Sequence, residues 1–301
     1  MVAPVRQKTL ASLCALLVMA GCGAPHNSSG GIDVVAAENF WGSIAAQLGG
    51  DRVNVRSIIT SPATDPHDYE PTAGDARAMA GAQLSIVNGI GYDGWASRLL
   101  ASDGSGNQVE LNVGDLLDLP DGANPHQWYS PAAVDRVIDA IVAGYDKVDP
   151  SGSGYYAARK QRFLSVSLAR YDSLRAEIRA RFAGVPVGYS ESIFQPLGES
   201  LGLRLLTPYG FAKATAEGSE VSAADKEATE EQVRDHRVDV WVLNSQNVTP
   251  EVQQVTAIAR AERIPVATIT ETLAPATASF EQWQVAELER LLAALHRATG
   301  R

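Results

Sequence analysis

Residues 155–182 contain neither glycine nor proline, and no other feature limits the fold of this chain as strongly. Within them Leu164, Leu168, Tyr171, Leu174, Ile178 and Phe182 recur at spacings of three and four, with charged residues between. That period predicts one amphipathic helix, about 40 Å long at 1.5 Å per residue, stopped by Gly184 and Pro186. Sustained heptads are missing, which argues against a coiled-coil arm. On either side, short apolar runs alternate with helical patterns, the order of βα units. Strands are expected over 32–37, 53–60, 83–88 and 109–113, and again over 185–190, 204–207, 238–244 and 264–270, with helices over 40–48, 72–81, from 94 to 100, 131–147, 193–201, 227–236, 250–262 and 280–299. The chain thus reads as an α/β protein of two βα lobes with parallel-type sheets, 32–152 and 185–301, joined by one long rigid α-helix over 153–184.

Ahead of the first lobe, Arg6 and Lys8 precede an apolar run over 10–20 and the sequence Met19-Ala20-Gly21-Cys22. The run is too short to span a bilayer and the small residues before Cys22 suit cleavage, so residues 1–21 read as a secretory signal ending in a lipoprotein box. Cys22 would then be the acylated N-terminus, and residues 22–31 a flexible tether. The other cysteine, Cys14, falls inside the signal. The folded part therefore has no disulfide and no cysteine ligand, and any metal must be held by nitrogen and oxygen. A formal charge of −10 becomes −12 once Arg6 and Lys8 are removed, which argues against a nucleic-acid partner.

Only five histidines are present, and two follow a proline: Asp65-Pro66-His67-Asp68-Tyr69-Glu70-Pro71 and Asn124-Pro125-His126-Gln127-Trp128. Proline fixes its own φ and disfavours helix in its predecessor, so each imidazole sits on a stiff, non-helical piece of chain. Either alone reads as an ordinary surface histidine; the repeated context points to two halves of one metal site. Both loops lie beyond strands, where open α/β sheets bind ligands. His26 lies in the tether, and His236 and His296 suit helix C-termini without a metal. Without a histidine to spare, the second lobe has carboxylates to offer. Glu191 and Glu271 each directly follow an expected strand, although either would also suit the N-terminus of a following helix.

With these residues in view, the chain resembles the substrate-binding lipoproteins of metal-ion ABC importers, the zinc and manganese solute-binding family, from the lipobox to the final helix. The segment from Asp65 to Thr72 is similar to the family's first histidine loop, and Asn124 to Trp128 followed by Pro131 to its second. Glu191, ahead of Phe194 and Leu201-Gly202-Leu203, falls where the zinc branch has histidine and the manganese branch glutamate. Glu271 falls where aspartate is more usual, a change of reach by one methylene. The resemblance implies the metal-type periplasmic-binding-protein architecture, with His67, His126, Glu191 and Glu271 holding a divalent metal ion as transported ligand. Affinity order places Zn2+ ahead of Mn2+, whereas the carboxylates and the absence of a histidine-rich loop resemble the manganese branch, so both metals stay open with zinc slightly favoured. It further implies no enzymatic activity, delivery to an ABC permease and its ATPase, and a monomer held outside the cytoplasm at the cell membrane through its lipid.

Rival readings are a zinc-dependent hydrolase and a surface adhesin lipoprotein. Two histidines and a glutamate can make a catalytic zinc site with a second glutamate as base. No two histidines are four residues apart, however, so there is no His-Glu-x-x-His helix. A siderophore or corrinoid binder would need a wide aromatic or arginine-lined cleft, and the motif pair argues against it.

Overall fold

A computed structural model describes residues 1–3, 30–64, 66, 69–103 and 108–301. Most of the expected signal, together with Cys22, His26 and His67, lies outside the described residues. In the first lobe β1 (Ile32–Glu38), β2 (Val53–Ile59), β3 (Leu84–Val87) and β4 (Val109–Asn112) form a parallel sheet in the order β2-β1-β3-β4. In the second, β5 (Pro186–Tyr189), β6 (Arg204–Leu205), β7 (Val240–Asn244) and β8 (Val266–Ile269) repeat it as β6-β5-β7-β8, again parallel. Every residue of β7 is buried, as is every residue of β1 except Asp33. Such runs suit parallel strands covered on both faces by helices. In each sheet the chain turns to opposite sides of its first strand, so a crevice opens at the carboxyl ends between β1 and β3 and between β5 and β7.

The covering helices are α1 (Asn39–Gly49), α2 (Ala73–Gly81), α3 (Gly94–Asp103), α4 (Val113–Leu117), α5 (Pro131–Val148), α6 (Ser153–Arg162), α7 (Ala169–Phe182), α8 (Gln195–Ser200), α9 (Tyr209–Ala216), α10 (Ala223–Arg234), α11 (Pro250–Ala261) and α12 (Phe280–Thr299). Sequence periodicity missed α4 and α9, which are five and eight residues long, too short to display a repeat.

The long helix departs from expectation in one respect. It is interrupted by a π-helical turn, Phe163–Ser167, closed by the Leu168 N–H donating to Phe163 O at 2.9 Å. Phe163 and Leu168 are both buried although five residues apart, while Val166 between them is 63% exposed. An α-helix would turn one of the two away from the core; a wider turn keeps both on the same face. Nor is the helix a free-standing connector. α6 packs on α1 and α5, α7 packs on α12, and Tyr156, Phe163, Tyr171, Leu174, Ile178 and Phe182 belong to one core that runs from β1 to α12. Each such side chain is worth about 1.5–3 kcal/mol when buried, so swinging the lobes apart would expose several at considerable cost. Among the described residues no helix is long and apolar enough to cross a membrane.

Candidate metal centre

Glu191 stands two residues beyond β5 and Glu271 two residues beyond β8, while His126 ends the loop that follows α4. The fold brings all three together. His126 Nε2 lies 3.8 Å from Glu191 Oε1 and 3.9 Å from Glu271 Oε1, with side-chain exposures of 0%, 1% and 13%. A tetrahedral ion with arms of about 2.1 Å separates its donors by about 3.4 Å, so these spacings are within a few tenths of an ångström of a shared ion. Carboxylates this far out of water are costly unless positive charge is placed beside them. By themselves these three do not make a complete cage: among the described residues no group of three or more His, Cys, Asp or Glu is arranged to hold a metal. The expected fourth donor, His67, is outside the described residues. Its flanks are anchored, since Pro66 is buried and the Tyr69 hydroxyl donates to Asp75 Oδ2 at 2.9 Å. Asp75 in turn closes the capping box of α2 with Thr72.

The tautomer of His126 follows from its neighbour. Asn124 Oδ1 accepts from the His126 N–H at 3.1 Å and lies 2.8 Å from Nδ1, while Asn124 Nδ2 donates across the lobes to Ser192 O at 2.8 Å. An amide oxygen can only accept, so Nδ1 carries a proton, and Nε2, which faces the two carboxylates, is the ring nitrogen left to ligate. The loop is also held at Pro125 O, which accepts from Asn88 Nδ2 at 2.9 Å. His126 forms part of the lining of a pocket walled by Pro125, Ser192, Tyr209 and Lys213.

Both carboxylates have neutral donors behind them. Asn244 Nδ2 donates to Glu191 Oε2 at 2.8 Å, and the Tyr92 hydroxyl donates to Glu271 Oε1 at 2.9 Å. Burial first, and then the Glu271 charge, pushes the Tyr92 phenol well up, so it remains a donor. The backbone that carries Glu271 is fixed at four successive N–H groups. Thr270 donates to Glu287 Oε1, Glu271 and Thr272 both donate to Gln246 Oε1, and Leu273 donates to Asn39 Oδ1.

The repeat of the two sheets exposes a residue that sequence reading missed. Continuing the strand registers by two places Glu38 opposite Asn88, as Glu191 stands opposite Asn244. Glu38 is the first-lobe counterpart of Glu191 and is fully buried. Burial and the adjacent Asp93 carboxyl raise it well above the usual range, with Glu271 adding to the effect. Burial likewise pushes Asp93 up to about 6, against the N–H groups of Asn88 and Gly89 that donate to it. Glu38 and Asn244 end strands, Asn88 and Gln246 lie within two residues past strands and Asn124 lies in the histidine loop, so their placement was readable; their roles depend on neighbours remote in sequence and were not.

Two like α/β lobes that bring His126, Glu191 and Glu271 together define a two-lobed protein with a candidate site between the lobes. Residues 34–294 match the family model described as "Zinc-uptake complex component A periplasmic", and the chain belongs to that family. Among curated relatives, the manganese-binding lipoprotein MntA of Halalkalibacterium halodurans is 27% identical over 198 residues, covering 62% of this chain and 64% of the relative. The zinc-binding lipoprotein AdcA of Streptococcus pneumoniae is 23% identical over 314 residues, covering 96% and 60%. The iron-binding protein YfeA of Yersinia pestis is 25% identical over 250 residues, covering 80% and 70%. The chain thus spans less than two thirds of the length of the first two. Among solved structures, the Mn-bound periplasmic metal binding protein from Candidatus Liberibacter asiaticus aligns with a TM-score of 0.74 at 18% identity, over 88% of this chain and 99% of that one. The protein FpvC of Pseudomonas aeruginosa in complex with Mn2+ aligns at 0.72 and 19%, over 89% and 99%. At these identities the likeness shows the fold.

Proposed function

We propose that this chain captures a divalent transition-metal ion between its lobes and hands it to an ABC importer. The ion is bound by His67, His126, Glu191 and Glu271. The observation that carries this reading is the His126 imidazole, held through Nδ1 so that Nε2 is left to ligate, and aimed at one buried and one largely buried carboxylate from the other lobe. Relatives named for manganese, zinc and iron leave the metal to the donor set, and two imidazoles with two carboxylates place zinc ahead of manganese by affinity order. The partners are an ABC permease and its ATPase. Cys22, acylated, holds the monomer at the outer face of the cell membrane. Membership of an uptake family supports transport over the hydrolase reading.

The test is metal analysis of protein purified without added metal, then calorimetric titration of the chelated protein with Zn2+ and Mn2+. One ion per chain in the wild type, with tight binding lost in His126→Ala and Glu271→Ala, is expected. Wild-type affinity in both variants would refute the assignment. Metal-independent binding to a surface partner would favour an adhesin.

A further inference from the structure

Behind the site, away from the three donors, lies a buried cluster that the metal reading does not use. Glu287 on α12 is 1% exposed, and its Oε1 accepts from the Thr270 N–H at 2.7 Å and faces Thr270 Oγ1 at 2.9 Å. Its Oε2 contacts the Tyr129 hydroxyl, which also reaches Thr270 O at 2.7 Å. Trp283 Nε1 donates to Thr270 Oγ1 at 2.7 Å. Tyr129 is three residues beyond His126 in the first lobe, and Thr270 immediately precedes Glu271 in the second. A single carboxyl therefore touches the segments of two donors that belong to opposite lobes.

Resting on the metal reading above, we propose that Glu287, through Tyr129 and Thr270, is the positioning group that locks the His126 turn to the Glu271 loop and so sets the spacing on which metal retention depends. A proton count shows why a carboxyl is used. The Tyr129 hydroxyl has one proton and two acceptors in contact. If the phenol donates to Thr270 O, the contact with Glu287 Oε2 needs a proton from the carboxyl. Neutral Glu287 supplies it from Oε2 while Oε1 still accepts from the Thr270 N–H. Burial pushes this group up to about 7, against the lowering effect of Tyr129, of Arg290 at 3.6 Å and of Thr270. Glutamine has the same neutral donor-and-acceptor pattern; leucine has neither.

The experiment compares wild type with Tyr129→Phe, Glu287→Gln and Glu287→Leu, using His126→Ala and Glu271→Ala as controls. Zinc release is followed by transfer to a chromophoric chelator, beside the melting temperature of each metal-free protein. Tyr129→Phe and Glu287→Leu should release zinc at least tenfold faster, with Tyr129→Phe keeping a metal-free melting temperature near that of wild type. Glu287→Gln should stay within about threefold of wild type, because its amide donates to Tyr129 and its carbonyl accepts from Thr270. Wild-type release from Tyr129→Phe and Glu287→Leu, with tight binding lost in both controls, would overturn the positioning role and leave the metal site standing. Release from Glu287→Gln as fast as from Glu287→Leu would also overturn it. If the controls bind like wild type, the metal reading itself fails and the inference falls with it. If Glu287→Leu does not fold, Tyr129→Phe against Glu287→Gln decides.

Discussion

At the scale of single residues, His126 stood out by its Pro-His context in a histidine-poor chain and Glu191 and Glu271 by their places just past strands, whereas the groups that prepare them did not. Asn124 is the clearest case. It sits in the histidine motif, yet only its contacts reveal that it sets the imidazole tautomer. Removing such a partner typically weakens metal binding about 10- to 100-fold. Asn124→Ala should therefore bind zinc that much less tightly by competition titration, with its fold unchanged; undiminished affinity would show that the tautomer is set elsewhere. Glu38 leads to a second expectation. Burial and the neighbouring carboxyls raise its pKa in the fold, so the native state holds this proton more firmly than the unfolded chain does and stability from this group falls as pH rises above the ordinary 4.5. Glu38→Gln removes that dependence and should be at least as stable as wild type at pH 7 by chemical denaturation. A clear loss of stability would mean that Glu38 is ionised in the fold.

Single elements show where periodicity suffices and where it does not. α12 was expected at the bounds it has, because twenty residues display the helical repeat in full. The π turn was hidden, since Leu164 and Leu168 make an acceptable α-spacing and only the burial of Phe163 with Leu168 demands the extra residue. The loop after β8 is held by side chains from the loop after β7, from α1 and from α12, which are 17 to 234 positions away in sequence. Glu287 ties one end of that loop, and its pH dependence can be measured. Its folded pKa of about 7 exceeds the ordinary 4.5, so the native state binds the extra proton between those values. Stability should fall as pH rises from about 4.5 to 7, by roughly 3 kcal/mol at most. Glu287→Gln should flatten that part of the stability curve in urea titrations, and an unchanged curve would place the dependence on another group.

For the whole molecule, the shared core and the cross-lobe bonds of Gln47 to Glu281 and of Ser43 to the Phe280 N–H leave little room for a hinge. Metal should bind to a largely preformed site. An ion that binds only the folded state stabilises it by RT ln(1 + [L]/Kd), about 4 kcal/mol at roughly a thousand times Kd. Saturating zinc should thus raise the melting temperature strongly while the radius of gyration from scattering stays nearly constant. Binding should weaken as pH falls through the histidine range, because both imidazoles must be neutral to ligate. A large compaction on binding would contradict the shared core, and the absence of a thermal shift would contradict metal capture.

Patterns local in sequence were sufficient for the βα alternation, the long helix between the lobes, the places of Glu191 and Glu271 just past strands and the non-helical loop that carries His126. Strand and helix periods, and the chemistry of a Pro-His dipeptide, are encoded within a few consecutive residues. The tertiary structure alone decided which groups support those donors. Asn244 reaches Glu191 across 53 positions, Tyr92 reaches Glu271 across 179, and Tyr129 meets Glu287 across 158. Hydrogen bonds in a buried site depend on distances of a few tenths of an ångström between side chains remote in the chain, and no local pattern carries that information.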